Sequence, residues 1–226
     1  MNEARERRFD LKAWGGLALL SLLFFLVTAG SFTALGAVLP DMVTALQWKW
    51  ASAGLGYTIL GLTCGLASFA PAVLIRRIGV RITLVLGALV MGGGYACLAT
   101  LHTLLPYWLG AGLVGVGYAL TAVIPASYVI TRTFKHASAA FGAYFTLGAL
   151  GGTAGPLLYN ALKAGGADWR AYWIAAGTAV LICGLATALV VKGGGAAADE
   201  PAPEDDSAAL VHTGRDFTVR EALATP

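Results

Sequence analysis

The sequence predicts an all-α membrane protein, a bundle of six transmembrane helices built as two inverted repeats of three. Three observations carry this expectation. Charge is scarce, the charges fall between long apolar runs, and a stretch near the start of the chain returns 85 positions later, at 115 instead of 30. Only 12% of the 226 residues are charged while 58% are apolar, against roughly 25% charged in an ordinary soluble domain. Mean hydropathy is +0.73. A soluble chain of this length would need far more charge to cover its surface.

The uncharged runs are 13–40, 50–75, 82–131, 136–162 and 171–191. A spanning helix takes about 20 apolar residues to cross the hydrocarbon, so the runs divide into spans at 13–38, 50–75, 82–101, 106–131, 137–162 and 171–191. The first could be mistaken for a signal peptide, because Arg7, Arg8 and Lys12 precede it and Thr28, Ala29 and Gly30 are small. Its apolar stretch is well beyond the roughly 7–15 residues of a signal core, so it reads as a retained span. Spans 3 and 4 share the long run and separate before Pro106, which suits the first turn of a helix. Residues 1–12 form an N-terminal tail and 13–191 the membrane domain. From 193 to 207 the chain has five acids and no aromatic or β-branched residue, the composition of a disordered linker. Thr218 and Glu221 then make a capping box that would start a short helix.

Lysine and arginine set the orientation. With the N-terminus inside, 12 of them lie on the inner side and 3, Lys49, Lys163 and Arg170, on the outer. Both termini are therefore expected in the cytoplasm and the bundle in the inner (plasma) membrane. The net charge of +3 reports this topology, and no basic patch suggests nucleic acid. Cys64, Cys97 and Cys183 read as packing residues without metal spacing, and His102 and His136 fall on opposite faces of the membrane. No metal site and no cofactor are expected. An intramembrane enzyme would need a nucleophile paired with a histidine inside a span, and no span interior holds a histidine.

The repeat aligns 30–40 with 115–125. Gly30, Ala34, Leu35, Ala37, Val38 and Pro40 match Gly115, Ala119, Leu120, Ala122, Val123 and Pro125. Three spans per repeat put the second repeat upside down, the arrangement of many transporter halves. Gly61 with Gly65, Gly148 with Gly152, and Gly151 with Gly155 are small-residue pairs that let helices approach closely in lipid.

No Asp, Glu, Lys or Arg falls inside these spans, so a proton relay or charge-paired site is not expected within them. The candidate substrate pathway is polar and aromatic. Tyr118, Thr121, Pro125 and Tyr128 recur at helical spacing in span 4, running toward Arg132. Tyr57, Gly61, Cys64 and Ser68 do so in span 2, and Tyr144, Gly148, Gly151 and Gly155 in span 5; span 1 adds Thr28 and Ser31. The competing reading is plain helix packing, with hydroxyls bonded one turn back. Trp48, Trp50, Tyr107, Trp108, Trp169, Tyr172 and Trp173 suit interfacial anchoring.

Several motifs resemble the N-terminal half of the major facilitator superfamily, along residues 13–226. Leu74, Arg77, Gly79 and Arg81 occupy their places in the loop 2–3 motif, while Arg76 stands where the family has an aspartate. The resemblance implies gating roles for this loop, with the cytoplasmic gate altered at Arg76. Gly142, Gly151, Gly155 and Pro156 resemble the fifth-helix motif of antiporters, with Tyr159 and Leu162 replacing its later glycines. Asp168, Trp169 and Arg170 resemble the turn before helix six. Gly30, Ser31 and Phe32 with Leu39 and Pro40, then Trp48, Ala51 and Ser52, resemble the monocarboxylate and oxalate/formate branch, as does 217–226. These resemblances imply a secondary transporter, antiporter or symporter, of a small organic anion. The substrate-holding cations would lie in a missing C-terminal half or a homodimer partner, and the chain would be a truncation or fragment. A drug or metabolite antiporter half, and a channel or scaffold subunit, are the alternatives.

Overall fold

The computed structural model describes the backbone of residues 2–134 and 137–191, and side chains from residue 13 onward within those segments. The described residues form helices α1 (Asn2–Gly30), α2 (Phe32–Leu46), α3 (Trp50–Ala67), α4 (Ala70–Ile78), α5 (Val80–Thr100), α6 (Leu104–Thr121), α7 (Val123–Thr133), α8 (Ala137–Ala164) and α9 (Trp169–Val190). The expected linker and capping box lie outside the described residues.

Five stretches are long and apolar enough to cross a membrane: Ala13–Leu46, Trp50–Ala67, Val80–Thr100, Leu104–Thr133 and Trp169–Val190. Helix α8 has the length, 28 residues, but Gly, Ser, Thr and Asn dilute its apolar character, so it is not among the five. Its place is set by packing. α8 lies along α1 and α2, α5 packs on α6 and α9, α3 on α6, and α1 on α9.

Three expected single helices are interrupted. Span 2 kinks after Ala67, where Pro71 enters the first turn of α4, as a ring lacking N–H requires. Gly79 then takes φ 85°, open to glycine, and turns α4 into α5. Spans 1 and 4 each break at one residue near mid-length, Ser31 and Ala122. Span 1 also runs longer than expected at both ends, from Asn2 through Pro40 to Leu46.

At the other end of α8, Gly166 with φ 82° closes the helix, with its N–H bonded to the Lys163 carbonyl and that of Ala167 to the Leu162 carbonyl. Both bonds satisfy carbonyls that a helix end leaves open. Asp168 then caps α9, its Oδ1 accepting from the Trp169 N–H at 2.7 Å.

The interior is apolar and close-packed around Leu20, Leu23, Leu35, Met42, Leu84, Met91, Tyr95 and Trp173, all under 2% exposed. The outside is apolar as well: Leu62, Leu66, Leu109, Leu157, Ile182 and Leu189 are each more than half exposed. That distribution suits a hydrocarbon solvent. Coverage is uneven, since only 17% of the residues of α3 are buried, against 56% in an 18-residue stretch of α5.

Candidate functional site

The two breaks organise the centre of the bundle. At Ser31 (φ −101°, ψ −115°) the helical ladder opens after Gly30, a poor helix former. The hydroxyls of Ser31 and Thr33 turn back to the Thr28 carbonyl at 3.4 and 3.5 Å, competing with the backbone for it. At Ala122 (φ −82°, ψ −110°) the cause lies downstream. Pro125 has no N–H for the carbonyl of Thr121, so the ladder cannot continue through it.

A break within lipid releases the last carbonyls of the helix before it; the Tyr172 hydroxyl meets one of these, while those of Tyr57 and Tyr144 bond to carbonyls in the first turn of the helix after a break. The Tyr172 hydroxyl of α9 donates to the Ala29 carbonyl at 2.7 Å. The Tyr57 hydroxyl of α3 donates to the Phe32 carbonyl. The Tyr144 hydroxyl of α8 donates to the Ala122 carbonyl at 3.0 Å. Tyr95 is fully buried with its hydroxyl against Gly30, where a Cβ would sit 2.3 Å away, and this hydroxyl has no partner.

Between the breaks lies an aromatic cluster. Phe24 stacks on Tyr144 with centroids 4.7 Å apart and meets Tyr118 edge-on at 6.5 Å. Phe32 meets Tyr118 edge-on at 5.6 Å and Tyr57 at 6.4 Å. Phe32, Tyr57 and Tyr118 are half-buried, while Phe24 and Tyr144 are buried. The cluster joins four expected spans through rings and hydroxyls.

The structure thus brings Thr28, Ser31, Tyr57, Tyr118 and Tyr144 around the breaks. Thr121 stands beside the second break but turns its side chain away: its methyl faces Gly87 of α5 and its hydroxyl returns to the Gly117 carbonyl at 2.8 Å. The expected single face through Tyr118, Thr121, Pro125 and Tyr128 is interrupted by the break at Ala122, beyond which Pro125 is buried. Thr28 bonds one turn back, to the Phe24 carbonyl at 2.7 Å, and its hydroxyl also meets that of Tyr118. Gly148, Gly151 and Gly155 sit against Phe24, Phe25 and Ala29 and let α8 touch the backbone of α1. Gly142 faces open space and Pro156 is half-buried within α8.

Charged side chains gather at the ends. Arg76 and Arg77 are exposed on the last turn of α4. Past Gly79, Arg81 donates through Nε to the Ala188 carbonyl at 2.6 Å, tying α5 to the end of α9. Arg132 stacks over Tyr128 at 4.4 Å. At the opposite end, Asp41 of α2 accepts from the Tyr159 hydroxyl and pairs with Lys163 at 2.8 Å. Arg170 joins Asp168 at 3.0 Å, the Leu101 carbonyl at 3.3 Å and the Trp169 ring at 4.2 Å. Sequence reasoning missed the Asp41–Tyr159–Lys163 contact and the parts of Phe24, Phe32 and Tyr172. Asp41 and Lys163 are 122 positions apart, and phenylalanines in an apolar helix carry no distinguishing signal.

Among the described residues no cluster of His, Cys, Asp or Glu could hold a metal ion. The family model of the Major Facilitator Superfamily matches residues 20–224. No curated protein matches the chain.

Proposed function

As the chain belongs to the major facilitator superfamily, an integral membrane transporter family, we propose that it forms one six-span half of a carrier for a small organic anion such as a monocarboxylate. The aromatic and hydroxyl cluster around the breaks would line this half's share of a central cavity, with Phe32, Tyr57 and Tyr118 toward the substrate. The observation that carries the reading is the pair of broken spans bridged by that cluster. Transporters place substrates near mid-membrane beside discontinuous helices.

Helix α8 counts as the fifth span in this reading. Its partners support an inverted three-plus-three arrangement: span 1 packs on span 5 as span 4 packs on span 2, a pattern unchanged when the two repeats exchange places. The described charges gather toward helix ends, so an anion would have to be neutralised by a second half or a second copy. The largely uncovered α3 supports a partner, since a span with only 17% of its residues buried leaves most of itself for neighbours. The distribution of Lys and Arg, 12 against 3, supports cytoplasmic termini in the plasma membrane.

Counterflow in proteoliposomes tests the reading. With the chain reconstituted as paired copies or beside a second half, the expected result is saturable exchange of a labelled monocarboxylate that Tyr118→Ala reduces at least about tenfold, the loss that follows from about 1.4 kcal/mol of transition-state binding. Flux of lipophilic drugs in place of anions would favour the drug-antiporter reading, which the Gly142, Gly151, Gly155 and Pro156 pattern of α8 suggests. Absence of any saturable flux beside specific dimer crosslinks would favour a scaffold or channel subunit.

A further inference from the structure

We propose that the acid-rich stretch 199–206 of the C-terminal tail docks on Arg76 and Arg77 at the end of α4, as an internal counter-charge for that end of the bundle. The proposal stands apart from the carrier reading. It needs only the place where the tail leaves α9 and the charges around that place.

Charge is divided unevenly between the two ends of the bundle. Residues 13–191 contain two acids, Asp41 and Asp168, which pair with Lys163 and Arg170 at the end opposite Arg76 and Arg77. The stretches 76–81 and 132–135 carry five cations and no acid. Arg76 and Arg77 are exposed and have no hydrogen-bond or ion-pair partner among the described residues. Helix α4 packs on α7, whose last turn bears Arg132, so a third cation adds to the charge of this end. The N-terminal tail differs, because Glu3, Glu6 and Asp10 nearly balance Arg5, Arg7, Arg8 and Lys12 there.

The C-terminal tail has the complementary charge. Asp199, Glu200, Glu204, Asp205 and Asp206 fall within one short stretch of sequence. Arg81 fixes where the tail begins: its Nε donates to the Ala188 carbonyl at 2.6 Å, so the chain leaves α9 beside the turn that follows Arg77. The steps from Val191 to Asp199 reach up to about 28 Å when extended, whereas Arg77, four positions before Arg81, lies within about 15 Å of it. The acids can therefore reach the arginines. A single exposed ion pair is weak, but a short tether holds the acids at an effective concentration on the order of millimolar, and several weak pairs then act together. Anionic lipid headgroups are attracted to the same cations. Salt and lipid charge thus govern whether the tail is docked.

Disulfide crosslinking of the full chain, loaded at one copy per nanodisc, tests the contact. With native cysteines replaced by serine, Ile78→Cys on the exposed end of α4 is paired with Ala202→Cys in the acidic stretch. In phosphatidylcholine, crosslinking is expected to slow about tenfold between about 0.01 M and about 1 M salt, as the Debye length falls from about 30 Å to about 3 Å. Arg76→Glu with Arg77→Glu should slow it as much at low salt, and adding Asp205→Lys with Asp206→Lys should restore it. Changing the five acids to their amides alters no residue of the bundle and should reproduce the loss if the arginine variant folds poorly. Phosphatidylglycerol should also slow the unsubstituted chain, by competition. A rate that ignores salt, or one that survives either the arginine or the amide substitutions, would overturn the docking. An effect of the arginine substitutions confined to phosphatidylglycerol would overturn it too, and would give Arg76 and Arg77 to the lipid.

Discussion

Gly155 shows how tightly single positions are constrained. A Cβ there would lie 2.1 Å from the Ala29 carbonyl oxygen, and that carbonyl belongs to the backbone beside a break. Gly155→Val is expected to lower stability by about 1–3 kcal/mol, as overpacking does, read as an earlier thermal midpoint in detergent. Gly142→Ala, where a Cβ meets nothing within 4 Å, should leave the midpoint unchanged. Glycines of one sequence motif thus separate into a packing contact and an open position. The Asp41–Lys163 pair is of a different kind. Its side chains are 31% and 56% exposed, and exposed pairs contribute about 0–1 kcal/mol. Asp41→Asn should lower the midpoint slightly at low salt and not at high salt, where screening has already removed the attraction. A loss independent of salt would assign the contribution to the Tyr159 hydrogen bond.

Helices in lipid normally satisfy their own backbone, so each interruption needs a cause and a remedy. For span 4 the cause is Pro125. Pro125→Ala returns an N–H three positions past the break; exchange at residues 122–126 should slow about tenfold, and stability should rise by up to about 3 kcal/mol. If exchange stays fast, the break is held by Tyr144 and packing instead. Span 1 has no proline at its break, and Pro40 sits within α2 without interrupting it. That asymmetry explains why the breaks escaped sequence reading. Prolines were visible at 40 and 125, aligned by the repeat, yet one lies nine residues past its break and the other three. The stripe expected along span 4 is interrupted at Ala122, and helical spacing predicts a common face only while the helix is continuous.

The topology of the whole bundle yields a direct test. With native cysteines replaced by serine, Lys49→Cys should react with an impermeant thiol reagent in intact cells, and Arg77→Cys only after permeabilisation. The opposite pattern would invert the orientation inferred from Lys and Arg. The chain should also stay with the membrane through an alkaline carbonate wash, since more than half of Leu62, Leu66, Leu157, Ile182 and Leu189 is exposed to the surroundings.

The membrane class, five stretches long and apolar enough to cross a membrane, and the family were legible in the residues alone. Lipid admits a backbone only when its polar groups are paired within helices, so long uncharged runs leave one solution. Helix α8 was expected as a span from its lack of charge and its glycine pattern, but its polar and small residues leave it outside the five stretches apolar enough to cross a membrane. What the tertiary structure decided was where the ladders open and which hydroxyl meets which carbonyl. Those matters depend on partners far apart in the chain: Tyr144 and Ala122 are separated by 22 positions, and Tyr172 and Ala29 by 143. A tyrosine in an apolar run looks the same whether its hydroxyl bonds its own helix, a substrate or a neighbour's backbone, and only the packing of the helices distinguishes them.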